Sequence, residues 1–387
     1  CMGHIIPWRF YMKKLFTVLL VVAVAFTAFA QGATEAAAPK ADKMAVAMVT
    51  DYGDITDLSF NQTTYEACKA FAEANGLAFK YYKPAGDNTA DRVAMIEKAI
   101  DEGFNVIVMP GYAFAGAIAE TAPQYKDVKF VGLDVSEYDL CIDAGLTDLS
   151  NVYCIVYQEE IAGYLAGYAT VKLGYTKLGY CGGMAVPAVI RYGYGYVQGA
   201  EAAAKELGAK VEIQYAYANQ FFGDADITAA MDTMYKGGTE VVFACGGGVF
   251  TSVCEAAAKV KAKAIGVDVD QKPIFDAAYG YPITVTSAMK GLYSSTVATL
   301  KTILDGNWDS IVGQIANLGL VSGTDVDANY VGIPTGNGTE WSDKFTLDDY
   351  KKVVADIVNG TIVIDSDSSS AEPKATAITV KYLGNIK

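Results

Sequence analysis

Val46-Ala-Met-Val-Thr-Asp51-Tyr-Gly-Asp54-Ile-Thr-Asp57-Leu-Ser59-Phe60-Asn61-Gln62 is the stretch on which the reading of this chain turns. A short apolar run ends in an aspartate, a Gly/Asp-rich loop follows, and a helix start then brings an aromatic ring and two amides. That order reads as strand, loop and helix. In an open α/β sheet, ligands bind where loops leave the carboxyl ends of the strands. The segment therefore sets a carboxylate, a π-face and amide groups at such an edge. Together they suit a polar, aromatic small molecule.

Strand-like and helix-like runs alternate from there onward. Residues 44–50, 77–82, 105–109 and 128–133 read as strands, with helices near 59–75, 89–102 and 113–124 between and around them. A second series places strands at 151–157, 177–181, 211–216, 240–244 and 264–267, with helices near 160–173, 188–207, 225–235 and 250–260. Repeated βα units imply parallel sheets covered on both faces by helices. The units are too many for one compact sheet, so two similar α/β lobes are expected, divided near 139–151. A strand at 283–287 is expected to cross back, with a helix at 290–304 packing on the first lobe. Beyond Trp308 the pattern weakens: 329–333 and 361–364 read as strands, 346–358 as a helix and 365–372 as a solvated loop.

The start of the chain reads as a leader. Met12, Lys13-Lys14, an apolar run from Leu15 to Ala28 and the Ala28-Phe29-Ala30 site before Gln31 describe a secretory signal peptide. The run is shorter than the roughly 20 residues a spanning helix needs. Residues 1–30 are thus assigned to leader and signal, and 31–43 to a flexible mature N-terminus. No cysteine directly follows the small residues, so a lipid anchor is not expected. The formal charge is −14 over 387 residues, and loss of Arg9, Lys13 and Lys14 with the leader makes it more negative. A chain this acidic repels phosphate backbones, which argues against nucleic acid as a partner.

Two absences narrow the chemistry. The single histidine is His4, inside the leader. Ser/His and Cys/His nucleophilic machinery and His-containing metal sites are therefore excluded, and no cofactor or metal is expected. Cys68, Cys141, Cys154, Cys181, Cys245 and Cys254 form no C-x-x-C pair. Cys154, Cys181 and Cys245 lie in apolar runs and read as small buried hydrophobes.

Several strand-end positions share one character. Asp51, Asp134 and Asp268 each follow an apolar run, as do Gly182-Gly-Met184 and Gly246-Gly247-Gly248. Taken singly, such residues cap helices or make turns. Their recurrence in both series argues for one shared cleft. Gly246–Gly248 is not followed by a Walker lysine, and Gly193-x-Gly195-x-x-x-Gly199 falls inside a helix, so no phosphate loop is read. Gly163 and Gly167, four apart, point to close helix packing. Tyr192, Tyr194 and Tyr196 read as packing and surface residues, with Arg191 beside them able to reach the cleft.

VTDYGDITDLSFNQ, the run CGGMAVPAVIRYGYGYVQGA at 181–200, the glycines after VVFAC, GVDVDQ at 266–271 and VTSAMK at 285–290 occur in that order. Together they resemble the basic membrane protein family of ABC-transporter substrate-binding proteins, whose characterised type is a purine nucleoside receptor. The likeness spans nearly all of the chain after the leader. It implies a type I periplasmic-binding-protein fold, in which two doubly wound parallel-sheet lobes are joined by a three-segment hinge. Lobe 1 would comprise 44–157 plus 286–315, lobe 2 158–285 plus 316–365, and 366–387 a C-terminal segment. The crossovers would fall near Tyr157, near Thr286 and after Gly313.

The resemblance further implies that Asp51 and Asp134 hydrogen-bond a purine base, with Phe60 stacking on it and Asn61 assisting. Asp268 would hold the ribose hydroxyls, helped by Lys290 and a backbone group near Gly247. Phe222 is the expected second stacking ring, with Phe243 as the alternative, and Met184 and Arg191 complete the expected ligand-binding set. The expected protein is an exported receptor, periplasmic or associated with the cell surface, that delivers its nucleoside to a permease in the inner membrane. Two alternatives remain open: a receptor of the same fold for a sugar or other small ligand, and a calcium-dependent nucleoside hydrolase built on Asp51, Asp54 and Asp57.

Overall fold

In the computed structural model, which describes residues 43–51 and 53–387, the apolar run Ala45–Val49 forms strand β1 and is buried throughout. The expected signal peptide, and most of the expected flexible N-terminus, lie outside the described residues. β1 is flanked in parallel by Ala78–Tyr82 (β2) and Val106–Pro110 (β3), and the sheet continues through Lys129–Leu133 (β4) and Val152–Tyr157 (β5). Phe60–Asn75 (α1), Thr89–Asp101 (α2) and Ala115–Thr121 (α3) connect these strands.

The chain then passes into a second sheet. Glu159–Lys172 (α4) precedes Lys177–Gly182 (β6), followed by Pro187–Leu207 (α5), Glu212–Tyr217 (β7), Ala225–Lys236 (α6), Val241–Cys245 (β8), Phe250–Val260 (α7), Lys263–Asp268 (β9), Lys272–Tyr279 (α8) and Thr284–Lys290 (β10). Leu292–Leu304 (α9) returns to pack on α1, and Ile315–Leu318 (β11) pairs with β5. The remaining elements are Val331–Gly332 (β12), Leu347–Val358 (α10) and Thr379–Asn385 (β13). The strand orders are β11-β5-β4-β3-β1-β2 and β12-β10-β9-β8-β6-β7-β13, all parallel except the short β10–β12 pair. Chain passages at 157–159, 290–292 and 318–331 link the two lobes.

Four expectations change. The break expected at 285/286 falls inside β10, which pairs with β9 as far as Asp268 and Met289, so the crossing comes after Lys290. β11 belongs with the first sheet, which carries that lobe to residue 318 rather than 315. No strand forms at 361–364, where Val363 stands 84% exposed. The C-terminal segment 366–387, assigned to neither lobe from the sequence, supplies β13, which pairs with β7 of the second lobe. Residues 365–372 are strapped to the second lobe, since the Tyr194 hydroxyl donates to the carbonyls of Ser370 and Glu372 and Tyr217 donates to Ala371.

Helices α4 and α5 pack backbone to backbone. A Cβ on Gly163 would overlap the Tyr192 carbonyl, and one on Gly167 the Tyr196 carbonyl; in return, Gly195 and Gly199 face the carbonyls of Glu160 and Tyr164. Only residues without a side chain permit this approach. The close contact sets the first turn of α4 against the first turns of α5, at the edge of the interlobe cleft. The six cysteines among the described residues are free thiols, and Cys154, Cys181 and Cys245 are buried as expected.

Candidate functional site

Strand ends from both lobes converge on one cleft of about 1020 Å³, counting its open mouth. Asp51 follows β1, Asp134 follows β4, Gly246–Gly248 follow β8, and Asp268 and Lys290 end β9 and β10. Asp134 (φ +59°) and Asp268 (φ +66°) both adopt the left-handed backbone region, one in each lobe. Aspartate is among the few L-residues that visit it readily. The conformation turns the chain sharply out of each strand.

Lys290 sits at the centre of the charge network. Its Nζ donates to Asp134 Oδ2 at 2.6 Å and to Glu159 Oε1 at 3.2 Å, and lies 3.8 Å from Asp268 Oδ1. The ammonium also lies over the Phe60 ring, 4.8 Å from its centroid. Burial opposes its charge, but Asp134, Glu159 and Asp268 hold it protonated well above the ordinary lysine range. Arg191 Nε donates to Glu159 Oε2 at 2.7 Å, with Glu160 Oε2 at 3.9 Å. For Glu159 burial is overcome by Arg191 and then Lys290, which keep its carboxyl below the ordinary range. Asp134 goes the other way: burial, reinforced by Glu159, outweighs Lys290 and raises it. Burial likewise pushes Glu160 up to about 7.

The first-lobe wall is built around the start of α1. Asp57 accepts from the backbone N–H groups of Ser59, Asn61 and Gln62 at 2.9, 2.9 and 3.0 Å, covering donors that a helix start leaves open. Asn61 Nδ2 donates to Asp57 Oδ2 at 3.1 Å, while Asn61 Oδ1 is buried without a partner among the described residues. Asp51 accepts from Gly53 N at 2.5 Å, and burial pushes its carboxyl up to about 6. Asp54 points outward to Lys83 and Thr56. The three aspartates therefore do not converge on one point.

Two hydrogen bonds cross from this loop to the second lobe. Ser59 Oγ donates to Asp268 Oδ2 at 2.5 Å, and Gln271 Nε2 donates to the Leu58 carbonyl at 3.1 Å. The Leu58 side chain packs against the core of the second lobe. The lobes are thus held shut over the cleft.

Of the expected site residues, Asp51, Phe60, Asn61, Asp134, Arg191, Gly247, Asp268 and Lys290 all line the cleft. Phe222 does not: it stands 59% exposed, and the neighbouring Phe221 lines the cleft in its place. A Cβ on Gly183 would strike the Phe221 ring, so that glycine makes room for it. Phe243 is fully buried in the core, against Tyr180 and Tyr192. Met184 is half-buried outside the lining, which on that segment is formed by Val186–Val189. Tyr192, read as packing, also lines the cleft, its hydroxyl 3.5 Å from Asp268 Oδ1. Glu159 and Glu160 were not singled out from the sequence. Their signal was an acidic pair opening a helix at the first crossover, which reads equally as ordinary helix-dipole compensation.

The family model for the PnrA-like ABC transporter substrate-binding proteins, Bmp, matches residues 44–368. Among curated relatives, the ABC transporter nucleoside-binding protein BmpA of Lactococcus lactis is 29% identical over 239 residues, covering 58% of this chain and 64% of that protein, a little under two thirds of its length. An uncharacterised lipoprotein of Pyrococcus furiosus is 25% identical over 321 residues, covering 81% of this chain and 77% of that one. In fold, the chain is similar to an ABC transporter solute-binding protein of Aeropyrum pernix, with a TM-score of 0.61 at 20% identity over 84% of this chain and 88% of that one. The matching family is one of ABC-transporter substrate-binding proteins and not of enzymes, which sets the hydrolase alternative aside. By the match over residues 44–368, this chain belongs to the Bmp family of PnrA-like ABC-transporter substrate-binding proteins.

Proposed function

We propose that this protein captures a purine nucleoside between its lobes and delivers it to the permease of its ABC transporter. The observation that carries this reading is that Phe60 from one lobe and Phe221 from the other line the same cleft as Asp51, Asp134 and Asp268. A nucleoside has one flat aromatic part and one polyhydroxylated part. Stacking on a base contributes roughly 1–3 kcal/mol per base, and carboxylates accepting N–H or O–H form charge-assisted bonds about twice as strong as neutral ones.

The base would lie at the Asp51, Phe60 and Asn61 wall, and the sugar toward Asp268, Lys290 and Gly247. Both cations in the lining are already paired with carboxylates, so a phosphate group would meet a net acidic surface. That favours nucleosides over nucleotides. The reading also places the protein outside the cytoplasmic membrane, in the periplasm or at the cell surface, where a ligand shared by both lobes favours the closed state the permease receives.

Calorimetry over a panel of nucleosides, free bases and sugars tests this directly. Nucleosides should bind with nanomolar to micromolar affinity, and Asp268→Ala should weaken nucleosides much more than free bases. No heat from any nucleoside, with tight binding of a sugar instead, would replace this reading with the sugar-receptor alternative.

A further inference from the structure

The polarity of the first-lobe wall narrows the ligand further, on the reading that a purine base rests against it. Asn61 is only 4% exposed, and its amide nitrogen faces carboxylates: Nδ2 donates to Asp57 Oδ2 at 3.1 Å, and Asp51 Oδ1 lies beside it across Gly53. Turning the amide over would set its oxygen against both carboxylates, so the neighbours determine its orientation. Oδ1 is consequently directed away from them, buried and without a partner among the described residues.

The carboxylates nearby add to the same polarity. Asp57 is occupied by the start of α1, but among the described residues Asp51 meets only Gly53 N and the neighbouring Asn61 amide, leaving acceptor capacity free. Asp134 Oδ1, on the same cleft, is also buried with no partner among the described residues. The unfilled capacity of the amide and carboxylate groups on this wall is therefore acceptor capacity. A buried acceptor left unmatched costs its full desolvation, so a ligand is selected by the donors it brings.

We propose that the cleft selects bases presenting adjacent N–H donors, a ring N–H beside an exocyclic amine as in a 2-amino-6-oxopurine, and that Asn61 sets this choice. A 6-aminopurine offers one donor beside a ring-nitrogen lone pair, which would face an oxygen lone pair here. A 6-oxopurine without the amine brings a single donor and leaves one acceptor unmatched.

The test is calorimetry of the full chain at pH 7.5 with guanosine, inosine, adenosine and 1-methylguanosine. Guanosine should bind tightest, inosine about tenfold weaker, and adenosine and 1-methylguanosine about 100-fold weaker. Asn61→Ala, with Asn61→Ser as a second variant, should bring guanosine and inosine within about threefold of each other. Adenosine matching or exceeding guanosine overturns the selection while leaving nucleoside binding intact. An unchanged guanosine-to-inosine ratio in both folded variants removes Asn61 from the role. If no purine nucleoside binds at all, the nucleoside reading fails and this inference fails with it.

Discussion

Ser59 Oγ and Asp268 Oδ2 lie 2.5 Å apart although 209 positions separate them in the chain, and the bond they form joins one lobe to the other. Both residues are buried, and the bond needs no ligand to complete it. It therefore acts on the balance between open and closed forms. Ser59→Ala should weaken ligand binding by about tenfold, the loss of one hydrogen bond to a charged group, and should enlarge the ligand-free protein in small-angle scattering. Wild-type affinity and dimensions in that variant would mean that closure is carried elsewhere.

Lys290 links Asp134, Glu159 and Asp268. Lys290→Met keeps much of the bulk but leaves those carboxylates facing one another in a buried place. Stability should fall by about 3–5 kcal/mol near neutral pH, measured by denaturant unfolding. The loss should shrink in acid, where Asp134, already raised by burial, takes up a proton. A loss independent of pH would indicate a packing defect instead.

Asp51 gives a pH dependence whose sign follows from its shift. Burial raises its carboxyl from 3.8 to about 6, so the folded protein holds that proton more tightly than the unfolded chain. Its contribution to stability is fully present below pH 3.8 and is lost as pH rises through about 6. Asp51→Asn should therefore stabilise the ligand-free protein by up to about 3 kcal/mol at pH 7.5 and by almost nothing near pH 3.5. Ligand binding should move oppositely. Donors on the ligand favour the carboxylate, so wild-type affinity should rise between pH 5 and 7 and then level off. Calorimetry at four or five pH values checks the slope.

Phe221 and Phe222 are neighbours with opposite fates. Phe221→Ala should weaken nucleoside binding by roughly 1–3 kcal/mol, whereas Phe222→Ala, at an exposed position, should stay within about 0.5 kcal/mol of wild type. The reverse pattern would restore Phe222 as the stacking ring.

Much of this molecule is local information. β1 is an unbroken apolar run because it is covered on both faces, and Asp51 follows it because the strand stops at the ligand edge. Gly163 and Gly167 could be read as a packing face because their four-residue spacing sets them on one side of a helix. The miss between Phe221 and Phe222 has an equally local cause. In an irregular loop no period tells which of two adjacent rings faces inward, and only the space beside Gly183 decides it. β13 escaped notice because an edge strand with alternate residues exposed carries a weak apolar signal.

The amino-acid order by itself determined the alternation of strands and helices, the division into two lobes and the strand-end aspartates, because each follows from apolar periodicity and from where it stops. The folded molecule alone decided what those aspartates touch. Ser59 meets Asp268, and one lysine serves Asp134, Glu159 and Asp268, because three chain passages bring the ends of two sheets face to face. Hydrogen bonds and ion pairs act over a few ångströms of space and are indifferent to separation along the chain.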